Sequence, residues 1–221
     1  MTTVPALIIF DCDGTLIDSE VIIAEARAKL ARSYGLEMDS QYALTSFRGT
    51  PTQRTIDEIR QHLGYEPEGL WEEYLNLVFA LYEDRLQPVD GAIKTLTWLQ
   101  QHFDGKLAVG TSGPREMTHR KLAMTGLDVF FKDAVFTVDD ANGLAKPAPD
   151  IFLCAAKTMG DINPSDCLVV EDTPVGVIAA RNAMMPVVAY TGCSDENEIN
   201  ELIGMGLTVF NNFRDVTMFV A

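Results

Sequence analysis

From Pro88 onward, short apolar runs alternate with helix-forming stretches, and this alternation limits the fold more than any other feature of the chain. The segments KLAVGTS, AVFTVDD, CLVVEDT, PVVAY and LTVF read as strands. Helical patterns over Ile93–His102, after Pro114, from Pro149 to Gly160, in PVGVIAARNAM and near Glu196 separate them, and a short helix follows the last strand. Strands joined through helices pair in parallel, and a parallel sheet needs cover on both faces. The run Val4–Phe10 is too short to span a membrane and supplies one more buried strand. After Asp18 the alternation lapses, and Glu20–Ser33, Gln53–Gly64 and Glu68–Leu86 each carry helical spacing, with Trp71 and Tyr74 expected in their shared core. The expected architecture is α/β: a doubly wound parallel sheet from residues 1–17 and 85–221, with a small all-α domain inserted over residues 18–84.

Composition narrows the function. With 221 residues, 47% hydrophobic and 22% charged, the chain can bury a full core and is not of a disordered type. A formal net charge of −15 argues against a nucleic-acid partner, because phosphate backbones attract basic surfaces. Small phosphorylated metabolites need only a local pocket of positive charge and stay open. No stretch reads as a secretory signal or a membrane helix, so a cytoplasmic protein without membrane association is expected, and a monomer. Cys12, Cys154, Cys167 and Cys193 form no CxxC pair and read as reduced thiols. His62, His102 and His119 sit in polar helical stretches and read as solvated side chains.

The chemistry lies at the strand ends, where ligands of open α/β sheets bind. The first strand ends in Asp11 and Asp13, two residues apart and so on one side of an extended chain, with Cys12 turned away into packing. Two such charges about 4 Å apart repel by roughly 4 kcal/mol at an effective dielectric near 20. A cation, a proton or a lysine must offset that. The second strand ends at Thr111 and Ser112, Lys146 precedes a helix in LAKPAPD, and a further strand ends at Glu171 and Asp172. Four carboxylates beside a lysine suit Mg²⁺, a hard cation that shares its shell with substrate phosphate. The Thr111 hydroxyl, Ser112 and the N–H groups of that turn are candidates to bind phosphate oxygens.

DCDGT, the Thr111 strand end, Lys146 in AKPAP and EDTPVG resemble, in order, the four motifs of the haloacid dehalogenase superfamily. The likeness covers essentially the whole chain, including a helical cap inserted after the first motif. It implies an Mg²⁺-dependent phosphatase for a small phosphorylated metabolite, such as a sugar phosphate or sugar-acid phosphate. It makes Asp11 the nucleophile that forms an aspartyl-phosphate and Asp13 the acid that protonates the leaving oxygen and later activates water. Lys146 and Thr111 would steady the phosphoryl group. Asp11, the carbonyl of Asp13 and Asp172 would hold Mg²⁺, with Glu171 in or next to that shell. Asp13 speaks against the dehalogenases themselves, which lack this acid and need no metal.

The cap resembles those of sugar-phosphate and phosphoglycolate phosphatases and of β-phosphoglucomutase, and IIFDCDGTLIDSE looks especially like phosphatases acting on 6-phosphogluconate. The mutase pattern has a histidine where this chain has Ile23 and an arginine where it has Thr52, so hydrolysis is the favoured reading over the mutase. The loop SFRGTPTQR, with Gly49, is expected to close over the core, with Arg48 reaching substrate and Arg54 and Arg115 as surface charges. A non-enzymatic phospho-aspartate switch of the receiver type shares the Asp, hydroxyl and lysine, but is shorter and has no cap.

Overall fold

Four consecutive apolar residues, Leu7–Phe10, form strand β1, each fully shielded from solvent. This computed structural model describes residues 4–48, 50–51 and 53–220. The elements after β1 begin with β2 (Ile17–Asp18), α1 (Glu20–Ser33), α2 (Ser40–Phe47), α3 (Gln53–Leu63), α4 (Leu70–Tyr82) and β3 (Gln87–Pro88). Then come α5 (Ala92–His102), β4 (Lys106–Gly110), α6 (Arg115–Met124), α7 (Asp128–Phe131), β5 (Val135–Phe136) and α8 (Asp150–Thr158). The series ends with β6 (Cys167–Glu171), α9 (Pro174–Asn182), β7 (Val187–Tyr190), α10 (Glu196–Gly204), β8 (Val209–Phe210) and a 3₁₀ helix, Phe213–Phe219. They divide into two units, Met1–Asp18 with Pro88–Ala221, and Ser19–Gln87.

The first unit is a six-stranded sheet in the order β5-β4-β1-β6-β7-β8, every neighbouring pair parallel. The order reverses direction at β1, which makes its C-terminal end the crevice of a doubly wound sheet. Burial on both faces explains why β1 is uniformly apolar rather than alternating. Leu7 and Ile9 face a cluster with Ile151, Phe152 and Ala155 of α8 and Ala179 and Ala180 of α9. From the other face Phe10 stacks on Phe213, centroids 6.0 Å apart, and meets Phe131 edge-on at 6.1 Å. The N–H of Val89 donates to the Leu16 carbonyl at 3.0 Å, so the chain leaves and re-enters this unit at neighbouring points.

Among the described residues the second unit contains four helices, one more than the spacing predicts. The addition is α2, started by Asp39, whose carboxylate accepts from the Tyr42 N–H at 2.6 Å. Its inward positions, Ala43 and Phe47, are too few to register as a periodic face. Tyr74, Val78 and Tyr82 of α4 and Ile59 of α3 are fully buried, while Trp71 is half-buried against Tyr74. Arg27 of α1 is also buried, donating to the carbonyls of Phe47 at 2.7 Å and Thr50 at 2.9 Å. Gly49 and Thr52 lie outside the described residues. In the first unit β1 begins at Leu7 rather than Val4, which is exposed, and the one-turn α7 arises where no periodicity marked a helix.

Phe10→Ala should lower the free energy of unfolding by about 3–5 kcal/mol, the usual cost of an aromatic cavity in a closed core. Val4→Ala should change it by less than about 0.5 kcal/mol. Urea denaturation of the two variants checks this, and equal effects would contradict the burial described.

Candidate active site

Parallel register gathers the polar strand ends. Phe10 lies abreast of Val109 on one side and Val170 on the other, and the Asp11 N–H donates to the Val170 carbonyl at 2.9 Å. Asp11, Thr111, Glu171 and Asp172 thus emerge together as β1, β4 and β6 stop. The chain then turns back sharply: the N–H groups of Leu16 and Ile17 both donate to the Cys12 carbonyl, at 3.0 and 2.9 Å. Gly14 permits this turn with φ at 83°, a conformation that side chains resist. The turn aims the Thr15 hydroxyl at Asp172, where it donates to Oδ1 at 3.2 Å.

Lys146 is buried, and its ammonium donates to Asp11 Oδ1 and, at 2.6 Å, to Glu171 Oε1. The other Glu171 oxygen accepts from the N–H groups of Asp172 (3.0 Å) and Thr173 (3.1 Å) and from the Thr173 hydroxyl (3.1 Å). Glu171 therefore anchors both Lys146 and the start of α9. Helix α9 comes very close here, because a Cβ on Gly176 would lie 1.8 Å from Glu171 Oε1. The Thr111 hydroxyl accepts from the Gly113 N–H at 3.1 Å, and Ser112 Oγ accepts from the Lys146 N–H at 3.1 Å. Ser112 ties the β4 turn to the lysine loop.

Asp13 has a partner that the sequence reading did not find. The ammonium of Lys121, two turns into α6, contacts both of its carboxylate oxygens. Lys121 is 2% exposed. The signal was present in MTHRKL: Met117, Thr118, Lys121 and Leu122 occupy the buried face of the helix, so a lysine stands at a core position.

Electrostatics follow from this crowding. Burial pushes the Asp11 carboxyl well above its ordinary range; Lys146 opposes this, while Glu171 and Asp172 reinforce it. For Lys146, burial favours the neutral form, but the Asp11 and Glu171 carboxylates outweigh it and hold the ammonium charged. The Cys12 thiol is driven far up by burial, which leaves it inert. Four carboxyl groups face two ammonium groups, so the acids outnumber their basic partners by two. Asp11, Glu171 and Asp172 each offer an oxygen within 4.8 Å of the others. Oxygen donors with that excess fit a hard divalent cation. Arg48 closes α2 in the second unit and is not among the residues that the sheet gathers. Arg115 is exposed and pairs with Asp140, and Arg54 is exposed with its guanidinium 4.5 Å from the Phe47 ring centroid. His62, His102 and His119 are exposed.

A doubly wound sheet with buried carboxylates and lysines at its switch point defines a class, and the chain belongs to it: residues 5–183 match the haloacid dehalogenase-like hydrolase family. The chain is 35% identical to fructose-1-phosphate phosphatase YqaB of Escherichia coli over 82% of its length and 94% of that protein. It is 27% identical to the 6-phosphogluconate phosphatase of Escherichia coli over 85% and 82% of the two chains. Among solved structures, a family IA, variant 3 HAD hydrolase from Entamoeba histolytica superposes with a TM-score of 0.81 at 24% identity, covering 97% of each chain.

Gly176→Ala should destabilise the protein by at least about 1–3 kcal/mol, since the added methyl collides with a buried carboxylate that cannot retreat. Gly204→Ala, in α10 with open space around it, should be neutral or stabilising by up to about 1 kcal/mol. Thermal unfolding of both distinguishes the close approach from a general intolerance of alanine.

Proposed function

We propose that this protein is a phosphoric monoester hydrolase acting on a small phosphorylated sugar or sugar acid, with Asp11 as nucleophile. The observation that carries the reading is the buried group Asp11–Lys146–Glu171–Asp172 beside Asp13 at the switch point. The names of two curated relatives, phosphatases of fructose 1-phosphate and of 6-phosphogluconate, support the substrate class.

In this reading one Asp11 oxygen attacks phosphorus, the ester bond to the sugar oxygen breaks, and Asp13 gives that oxygen a proton. Water then attacks the aspartyl-phosphate while Asp13 takes its proton. Cleavage of the bond to Asp11 frees inorganic phosphate and restores the carboxylate. Lys146, fixed by Glu171, and the Thr111 turn hold the equatorial oxygens as charge spreads over them. Asp11, Asp172 and the Asp13 carbonyl would hold Mg²⁺, with Glu171 beside them, and the bound ion would supply neutralisation of the excess negative charge. Ile23, where a mutase has its histidine, is a buried apolar residue of α1 and offers no proton.

The test is phosphate release from fructose 1-phosphate, 6-phosphogluconate, phosphoglycolate and related sugar phosphates, with Mg²⁺ and with chelator. Wild type with Mg²⁺ should release phosphate from at least one of them, and chelator or Asp11→Asn should lower the rate by more than about a hundredfold. Conversion of β-glucose 1-phosphate to glucose 6-phosphate without release would establish the mutase instead.

A further inference from the structure

We infer that Lys121 is a positioning residue of the reaction, holding the Asp13 carboxyl group in the orientation needed as it gives a proton to the leaving oxygen and takes one back from water. This rests on the hydrolase reading above. A lysine is almost never buried without a compensating charge, and Lys121 is buried with its ammonium against both oxygens of Asp13. A carboxylate held at both oxygens cannot rotate freely about its last bond. The grip is built from rigid parts. Lys121 sits on α6, whose neighbouring positions Met117, Thr118 and Leu122 are buried, so its stem leaves from a fixed backbone. The turn leading into α6 also packs tightly: a Cβ on Gly113 would lie 3.1 Å from Thr118 Oγ1 and 3.9 Å from Asp13 Oδ2. Helix α6 starts four residues after Thr111, so the turn that would receive phosphate and the lysine that holds the acid belong to one continuous segment.

The pairing also separates duties between the two lysines. Lys146 is engaged by Asp11 and Glu171, on the nucleophile's side of the site. Lys121 touches Asp13, on the proton-transfer side. Removing Lys121 should therefore leave substrate binding intact and slow turnover. A misplaced acid costs catalysis without costing affinity, since only interactions made in the transition state change kcat alone.

Lys121→Met, Asp13→Asn and the double variant should be compared on whichever sugar phosphate wild type hydrolyses best. Lys121→Met should lower kcat by tenfold to a hundredfold with KM within about threefold of wild type. In the Asp13→Asn background the same change should cost less than about twofold, because its effect passes through Asp13. An unchanged kcat, a change confined to KM, or an equal loss in both backgrounds would overturn the inference. Should Lys121→Met not fold, Lys121→Gln takes its place in the same cycle with the same criteria. Wild-type hydrolysis serves as the internal reference: its absence refutes the hydrolase reading, whereas its presence beside an unimpaired Lys121 variant refutes only the role of Lys121.

Discussion

Like charges gathered at one sheet edge are the constraint on which the rest of this structure depends. Asp11, Asp13, Glu171 and Asp172 are drawn together by strand register and by the turn at Gly14, and none can move far without breaking β1 or β6. For Asp11, Glu171 and Asp172, whose oxygens lie within 4.8 Å of one another, repulsion between ionised pairs amounts to about 3–4 kcal/mol at an effective dielectric near 20. Two buried ammonium groups answer part of it, Lys146 on Asp11 and Glu171, Lys121 on Asp13. What they leave is a cluster in which carboxyl groups outnumber ammonium groups. The donor set Asp11, Glu171 and Asp172 is one that could hold a metal ion.

The surrounding fold serves this arrangement. The sheet order places β1 in the middle, between β4 and β6, so that each contributes its own strand end to one crevice. Glu171 accepts from Lys146 with one oxygen and from Asp172 and Thr173, just ahead of α9, with the other, which couples Lys146 to the start of that helix. Gly176 is required by that coupling, since any side chain there would occupy the space of the carboxylate. Ser112 performs the same kind of linkage between the β4 turn and the loop of Lys146.

Much of this was legible in the sequence, for identifiable reasons. Apolar runs as short as LIIF and CLVVE, separated by helical patterns, point to a parallel sheet, and the polar residue that ends each run is a candidate site residue by topology. Asp11, Thr111, Glu171 and Asp172 are visible in this way, whereas Lys146 ends no strand and is marked only by its place in the loop between β5 and α8. Helix α2 was not, because its inward face carries only Ala43 and Phe47, and its clearest mark is the single capping residue Asp39. Lys121 was missed for a different reason. Its spacing with Met117, Thr118 and Leu122 marks it as facing inward, but a lysine inside a helix is ordinarily solvated, and its partner Asp13 stands 108 positions away in the chain. Thr15 is similar: its partner Asp172 is distant in sequence and near only in the fold.

The central claim is that Asp11 carries the phosphoryl group during turnover, and it can be tested directly. Enzyme turning over its best sugar phosphate is quenched in acid, digested, and the peptides are examined for added phosphoryl mass. The account predicts phosphate on the peptide that contains Asp11, lost on mild base treatment as an acyl phosphate is, and absent from Asp11→Asn. Phosphate on another residue, or an unmodified enzyme during active turnover together with an active Asp11→Asn, would contradict it.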